Sequence, residues 1–356
     1  MSEISVTSDE SGFAALEPEW DELVSEVGAS PFMRPGWIGA WWRAFGSGTL
    51  HVLVLRRGGT LAGVLPLSKR RGALASTTNW HTPEFAPIAA DDEAVEALLE
   101  AALQRTKLRL DLSFLPERSA GASTCLRLAQ AAGFGLIDRE VQRSPYIEIT
   151  EWESFQASLP SRRLSKYRRF RRRLDERGNV VFHVSMGGER LNATLAEGFA
   201  VEAGSSGEGT AILARPETER FYTDVAEWAA ERGWLRLWFL RLDDAPIAFA
   251  YGLEWDGIYF DLKVGFDPDY GRFGPGVLLM EERIRHAFET GLKRFEFLGD
   301  PERHKLDWMD DLWVRRRVQM FAPTVAGALN RIAWQRGRPA LIRARRGFER
   351  KAGPRD

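Results

Sequence analysis

The feature that most constrains the fold of this chain is that its order of elements repeats. The first half reads Arg34-Pro35, then Trp37-Ile38-Gly39-Ala40-Trp41-Trp42, then Phe45-Gly46. A strand-like HVLVLRR follows, then a turn GGT and a second strand LAGVLPL. The second half reads Arg215-Pro216, then RFYTDVAEWAAERG, the strand LRLWFLRL, the turn DDAP and the strand IAFAYGL. The likeness returns further on, where LLEAALQRTKLRLDLSFLPE (98–117) parallels RIRHAFETGLKRFEFLGDPE (283–302). Both segments run from an amphipathic helix into an alternating strand that ends at Pro-Glu. An ancient duplication accounts for this order. Coincidence between short α/β units is the competing account. A chain of 356 residues is too long for one comfortable core and suits two domains.

The halves differ in the middle. The second has a long strand, Gly257 to Phe266, then DPDYGRFGPG and a helix VLLMEERIRHAFETG, whereas the first has only STTNWHTPEFAPIAADDEA. The first half therefore reads as a degenerate copy. The expected organisation is an N-terminal domain over 1–150, a basic linker helix over 151–178, a second and catalytic domain over 179–322, and a basic tail over 323–356. In the linker, EWESFQASLP reads as a short helix stopped by Pro160. A second helix then begins with Ser161 as N-cap, stops at Gly178, and carries Leu164, Tyr167, Phe170 and Leu174 as its apolar stripe.

In the long strand, period-two alternation puts Ile258, Phe260, Leu262 and Val264 on one face and Tyr259, Asp261 and Lys263 on the other. If the strand is central, the polar face lines something hydrated or functional. If it is an edge strand, that face is simply solvated. The Gly-rich turn that follows opens a helix, and amides at a helix start suit a phosphate.

Composition narrows the classes. Apolar residues are 44% and charged residues 28%, ordinary for a globular protein, and the net charge is −1. Of the basic residues, eight fall between Arg162 and Arg173 with no acid among them. That run holds a phosphate, meets an acidic acceptor, or is a solvated helix face. No nucleic-acid motif accompanies it, so nucleic acid ranks last as a partner. The tail mixes arginines with Trp334, Leu341, Ile342 and Phe348, which suits either an anionic membrane surface or solvent. The single cysteine, Cys125, allows no disulfide framework within the chain. The five His residues lack metal-ligand spacing, so no metal is expected. No GxSxG elbow, Walker loop or dinucleotide fingerprint is present. MSEISVTSDESGF is not a signal peptide, and no apolar run is long enough to span a bilayer. A cytoplasmic location is expected, with the tail able to reach the inner face of a membrane.

The segments RRLSKYRRFRRRLDERG, SSGEGTAIL, PIAFAYGL, GFDPDYGRFGPGVLL and GLKRFEFLGDPERHKLDW together resemble the GNAT acyltransferase superfamily. The likeness is to its two-domain CelD-like or BioF2-like branch, related to the FemAB peptidyl transferases. The resemblance implies an α/β fold of two tandem GNAT-like domains, each a mixed central sheet flanked by helices. It also implies transfer of an acyl group from acyl-CoA to an amine on an amino sugar, an amino acid or a lipid such as a sphingoid base. Gly274 and Gly276 match the superfamily's pyrophosphate loop, Arg/Gln-x-x-Gly-x-Gly/Ala, with Gly271 in its first position. The expected donor contacts are Lys263, Val264, Gly265, Arg272, Phe273, Gly274, Pro275 and Gly276, with Arg163 and Arg169. Lys305 matches a lysine typical of the branch. The coiled-coil insertion of the tRNA-dependent Fem enzymes is missing.

Such a reaction needs a base to free the amine, amides to polarise the thioester, and an acid for the leaving thiolate. The candidates are Asp261, Glu208 or His304 as base, Tyr270 as acid and Lys305 as an orienting or acceptor-binding cation. The competing reading is a non-catalytic module that kept the fold to bind an envelope polysaccharide or a protein partner.

Overall fold

The computed structural model describes residues 2–206, 209–309 and 311–336. The first half contains β1 (Ser2–Thr7), α1 (Glu10–Glu26), α2 (Pro35–Phe45), β2 (Thr49–Arg57), β3 (Thr60–Arg70), β4 (Ala73–Ser76), β5 (Ile88–Ala89), α3 (Asp92–Arg105), β6 (Arg109–Pro116), α4 (Ala120–Ala131) and β7 (Gly135–Glu148). The second contains α5 (Trp152–Ser158), α6 (Ser161–Asp175), β8 (Val180–Ser185), α7 (Leu191–Ser205), α8 (Pro216–Glu231), β9 (Leu235–Leu242), β10 (Ala245–Trp255), β11 (Ile258–Phe266), α9 (Pro275–Glu289), β12 (Arg294–Glu296), α10 (Arg303–Leu306) and β13 (Leu312–Phe321). Residues 325–336 are helical. Among the described residues no helix is long and apolar enough to cross a membrane.

Two compact units result. Unit 1 comprises residues 1–35, 46–141 and 315–356, and unit 2 comprises 36–45 and 142–314. Within unit 1 the strands run β1-β2-β3-β4-β6-β13, with β5 against β3; within unit 2 they run β8-β9-β10-β11-β12-β7. Neighbours are antiparallel except for β4 with β6 and β11 with β12. The two sheets therefore share one strand order and one position for their parallel pair, as the sequence repeat implies. Both are mixed sheets flanked by helices, the α/β class expected.

The hairpins follow from local chemistry. Gly58-Gly59 joins β2 to β3, Asp243-Asp244 joins β9 to β10, and Asp256-Gly257 joins β10 to β11. Both residues of each pair have positive φ. Two-residue loops of that kind match the twist of the strands they join, and Gly and Asp tolerate them. Helix ends are also locally specified. Asp9 and Asp91 accept the Gly12 and Ala94 amides at 2.8 Å as N-caps of α1 and α3. Helix α9 closes at Gly291, with the Thr290, Gly291 and Leu292 amides returned to the last turn.

Helix α2, which the sequence places with the first domain, packs in unit 2. Trp37 is fully buried and meets Phe221 of α8 edge-on at 5.1 Å; Arg43 pairs with Asp224 at 2.9 Å. Gly36 lies so close to the Trp228 indole that no Cβ fits between them. The expected linker, 151–178, forms α5 and α6, both inside unit 2. Ser161 is the first helical residue of α6 rather than its cap; the cap position is Pro160, and the helix ends at Asp175 before Gly178. The apolar stripe is as read: Tyr167 and Leu174 are buried, and Leu164 and Phe170 pack on the same core.

The placement of α2 carries a stability prediction. Trp37→Ala removes a fully buried indole, so a loss of about 3–5 kcal/mol is expected. Urea unfolding followed by tryptophan fluorescence measures it.

Candidate functional site

Strand β11 lies between β10 and β12, so it is interior and not an edge. Its register against β10 slips once: Tyr251 faces Lys263 and Gly252 faces Asp261, leaving Leu262 without a partner. Such a bulge shifts the period-two alternation by one residue. The expectation that Tyr259, Asp261 and Lys263 share a face is thereby corrected. Tyr259 stacks on Phe295 at 4.8 Å within the core beneath α9. The Asp261 carboxylate accepts a hydrogen bond from the Arg283 guanidinium of α9, with both side chains 1–2% exposed. Lys263 turns toward α7 instead. Its ammonium donates to the Thr210 carbonyl at 2.9 Å, lies 3.8 Å from the Glu202 carboxylate and sits over the Tyr222 ring.

Beyond this point the sheet opens. Strand β12 pairs with β11 only over Ile258–Phe260, and the Phe297 amide then turns to the Pro145 carbonyl at 3.1 Å. The main chain of β11 after Asp261 thus becomes one wall of a cleft. After β11, Asp267 caps the short turn 268–273 by accepting the Asp269 amide at 3.0 Å. Gly274 follows at φ 64, a conformation that favours glycine, and its missing Cβ leaves room for the Phe170 ring of α6, 2.5 Å from where that atom would sit. Helix α9 then starts at Pro275. Val277 and Leu278 donate back to the Gly274 carbonyl, and Pro275 has no amide hydrogen. That leaves the Gly276 amide as the first-turn donor without an acceptor inside the helix.

The cleft has a volume of about 1190 Å³ and lies wholly in unit 2. Its floor is apolar, with Phe249, Phe266, Val277, Leu279, Met280 and Trp308. One side is cationic: Arg162, Arg163, Lys166 and Arg169 of α6 line it together with Arg303. Arg163 pairs with Asp307 at 3.3 Å and rests over Trp308. The opposite face of α6 lines a smaller groove, about 410 Å³, where Arg168, Arg171 and Arg172 face Asp175, Glu281 and Glu282. Acids therefore offset the cations on that side of the helix.

The sequence-selected residues divide. Val264, Gly265, Gly274, Pro275, Gly276, Arg163, Arg169 and His304 line the cleft; Lys263, Arg272 and Phe273 do not. Phe273 is buried in the core, with Arg272 over its ring at 4.8 Å. Tyr270 packs half-buried on that core, away from the cleft. Asp261 is held in its buried pair; the carboxylate and the Tyr259 hydroxyl raise the pKa of Arg283 against the effect of burial. Lys305 holds the loop before α10, donating to the Leu298 carbonyl at 3.0 Å and the Asp300 carbonyl at 3.3 Å. Glu208 lies outside the described residues.

His304 stands on α10 at the rim, its side chain about half exposed and 3.6 Å from Glu302. Partial desolvation, then the Lys305 charge, hold its imidazole below the ordinary value; Glu302 and Asp261 oppose this. Two residues were missed by the sequence reading. Tyr167 lines the cleft, stacks on Trp308 at 5.2 Å, and has its hydroxyl pKa raised by burial. Glu202 is 1% exposed and accepts from the Ser206 hydroxyl at 2.5 Å and the Ile212 amide at 2.9 Å, which fixes both ends of a loop whose Ser206 and Thr210 line the cleft. The signal for Glu202 was present as a lone charge at a core position of the helix LNATLAEGFAVEAGS.

A parted parallel strand pair, a glycine turn into a helix, and a cleft between them define a class. Residues 161–306 match the family described as acetyltransferase (GNAT) domain. The matched stretch, a GNAT-type domain, lies within unit 2. Similar folds occur in FemX (15% identity over 85% of this chain and 95% of that one, TM-score 0.57). They occur also in the C-terminal domain (DUF2156) of a provisionally named lysylphosphatidylglycerol synthetase from Agrobacterium fabrum (13%, 90% and 95%, TM-score 0.55). A third is L-PGS from Bacillus licheniformis (11%, 85% and 90%, TM-score 0.54). No curated protein matches the sequence.

The buried ion pair gives a direct test of its role. Asp261→Asn leaves a buried guanidinium without its counter-charge, and a loss of about 3–5 kcal/mol is expected. The joint replacement Asp261→Leu with Arg283→Met is expected to recover most of it. Denaturant midpoints of the three proteins decide.

Proposed function

We propose that unit 2 is an N-acyltransferase that moves an acyl group from acyl-CoA to a primary amine on a small molecule or lipid. The observation that carries this reading is the cleft itself. It joins a cationic wall on α6 to the first turn of α9 and to the open main chain of β11. The cations and the Gly276 amide suit a diphosphate. The apolar floor suits an acyl chain, and the β11 main chain suits a thioester carbonyl that gathers negative charge. The residues present therefore fit the donor.

In this reading the acceptor enters beside His304. The neutral imidazole takes a proton as the amine attacks the carbonyl carbon; the C–N bond forms, the C–S bond breaks, and the thiolate leaves. The imidazolium, the stronger acid, then returns that proton to the thiolate, while Tyr167, kept protonated by burial, lines the cleft wall. Arg283 and Asp261 position α9 against β11. Glu208 is the alternative base. A second donor class is favoured by one feature, the four cations that α6 alone brings to the cleft, which suit a larger polyanion such as an aminoacyl-RNA. The name of one fold neighbour, a lysylphosphatidylglycerol synthetase, is in keeping with a lipid acceptor.

The assay is release of free thiol from acyl-CoAs of graded chain length with a panel of amines. Cys125 is buried and its thiol is pushed up to about 12 by desolvation, so the protein contributes little background. Amine-dependent release by the wild type and its loss in Gly276→Trp are expected. Absence of release with every donor, with no acyl-CoA binding, leaves the non-catalytic reading standing.

The base is tested by pH. A proton acceptor must be neutral, so kcat/KM falls as pH drops through the imidazole pKa. Because that pKa lies below its ordinary value, the limb is expected on the acid side of about 6.5. His304→Asn is expected to remove the limb and lower kcat about 10²-fold. A limb retained in the variant assigns the base to another residue.

A further inference from the structure

The helix over 325–336 closes unit 1 with its amphipathic faces the wrong way round for a water-soluble surface. Its polar and aromatic side is turned inward. Asn330 accepts a hydrogen bond from Arg109 at 3.2 Å, and the Trp334 ring lies under the guanidinium of Arg109 at 4.3 Å and of Arg317 at 5.5 Å. Its outward side carries Val325, Leu329 and Ile332, which follow one another at helical spacing. They are 79%, 61% and 41% exposed, with Ala328 exposed between them and Ala333 exposed beside them. A single exposed leucine is unremarkable, but a continuous apolar stripe on a helix marks a docking face.

Charge identifies the occupant. From Val325 onward the sequence has nine basic residues and two acidic ones, Arg331 and Arg336 in the helix itself and the other seven basic residues after it in the sequence, although the whole chain is close to neutral. We propose that this helix docks unit 1 onto an anionic lipid bilayer, with the apolar stripe entering the headgroup boundary and the arginines meeting the phosphates. Nucleic acid would satisfy the charge but not the stripe; a second copy of the chain would satisfy the stripe but carries the same basic excess. The inference concerns unit 1 and does not depend on the acyl-transfer reading of unit 2.

The test is co-sedimentation of the full chain with vesicles of phosphatidylcholine plus phosphatidylglycerol, and with vesicles of phosphatidylcholine alone. The wild type is expected to partition onto the anionic vesicles, less so at high salt, and to ignore the neutral ones. Leu329→Glu with Ile332→Glu changes only exposed side chains, so its circular dichroism and thermal unfolding are expected to match the wild type while its partition falls about tenfold. Failure to partition, or equal partition by wild type and variant, overturns the proposal. Light scattering without lipid distinguishes a second copy: a wild-type dimer that the double variant dissolves also overturns it. So does tight RNA retention that the variant loses.

Discussion

Strand β11 carries one residue more than β10 between Asp261 and Lys263, and the site is arranged around that slip. Without it, period-two geometry would put Asp261 and Lys263 on one face, with Lys263 beside Arg283 and Glu202 left under α7 without a nearby cation. With it, each buried carboxylate meets one cation: Asp261 with Arg283 on the α9 side, Glu202 with Lys263 on the α7 side. A buried charge left unpaired costs several kcal/mol, so the bulge and the two pairings require each other. The same stretch is where β12 ends its pairing, and so the wall of the cleft begins where the ladder is interrupted.

The electrostatics of the cleft are divided by position rather than by total charge. Helix α6 is basic around most of its circumference. On the groove side its arginines meet acids of its own last turn and of α9. On the cleft side, acids are few: Glu302 and Asp307 against six cations, of which Arg283 is held by Asp261. A low-dielectric floor under that excess strengthens its hold on a bound anion. This is how a chain with a net charge of −1 presents a cationic pocket.

What was legible in the sequence was what is local. The Gly-Gly and Asp-Asp turns and the helical stripes of α6 and α9 follow from backbone chemistry and periodicity, while Gly257, read as the start of the strand, belongs to the Asp256-Gly257 turn. The repeat disclosed the shared strand order because duplicated elements keep their sequence signature. The glycine turn into α9 was read from its place between strand and helix. What was not legible is what depends on pairing across distance. Alternation in β11 looked regular because a bulge leaves no mark on the hydrophobic pattern of a strand with polar residues on both sides of it. Asp261 resembled a base because its partner, Arg283, lies on another element. Tyr270 was chosen by chemistry and Lys305 by resemblance, but the turn 268–273 packs one on the core and the loop 298–300 engages the other. Glu202 and Tyr167 were passed over because each sits in a helix whose other residues explain it without function.

The way the two units divide the chain bears on how the protein is made. Unit 1 needs 315–321 to complete its sheet beside β6, while unit 2 draws its own last strand from 142–148 and a helix from 36–45. On the ribosome, the usual order in which an N-terminal domain folds first is reversed. Unit 2 has all its parts once Val314 has emerged, whereas β6 of unit 1 keeps one edge open until residues 315–321 follow. An open edge of that kind is prone to mispairing. Translation pauses or nascent-chain chaperones in the interval after β6 is made would therefore bear most heavily on unit 1.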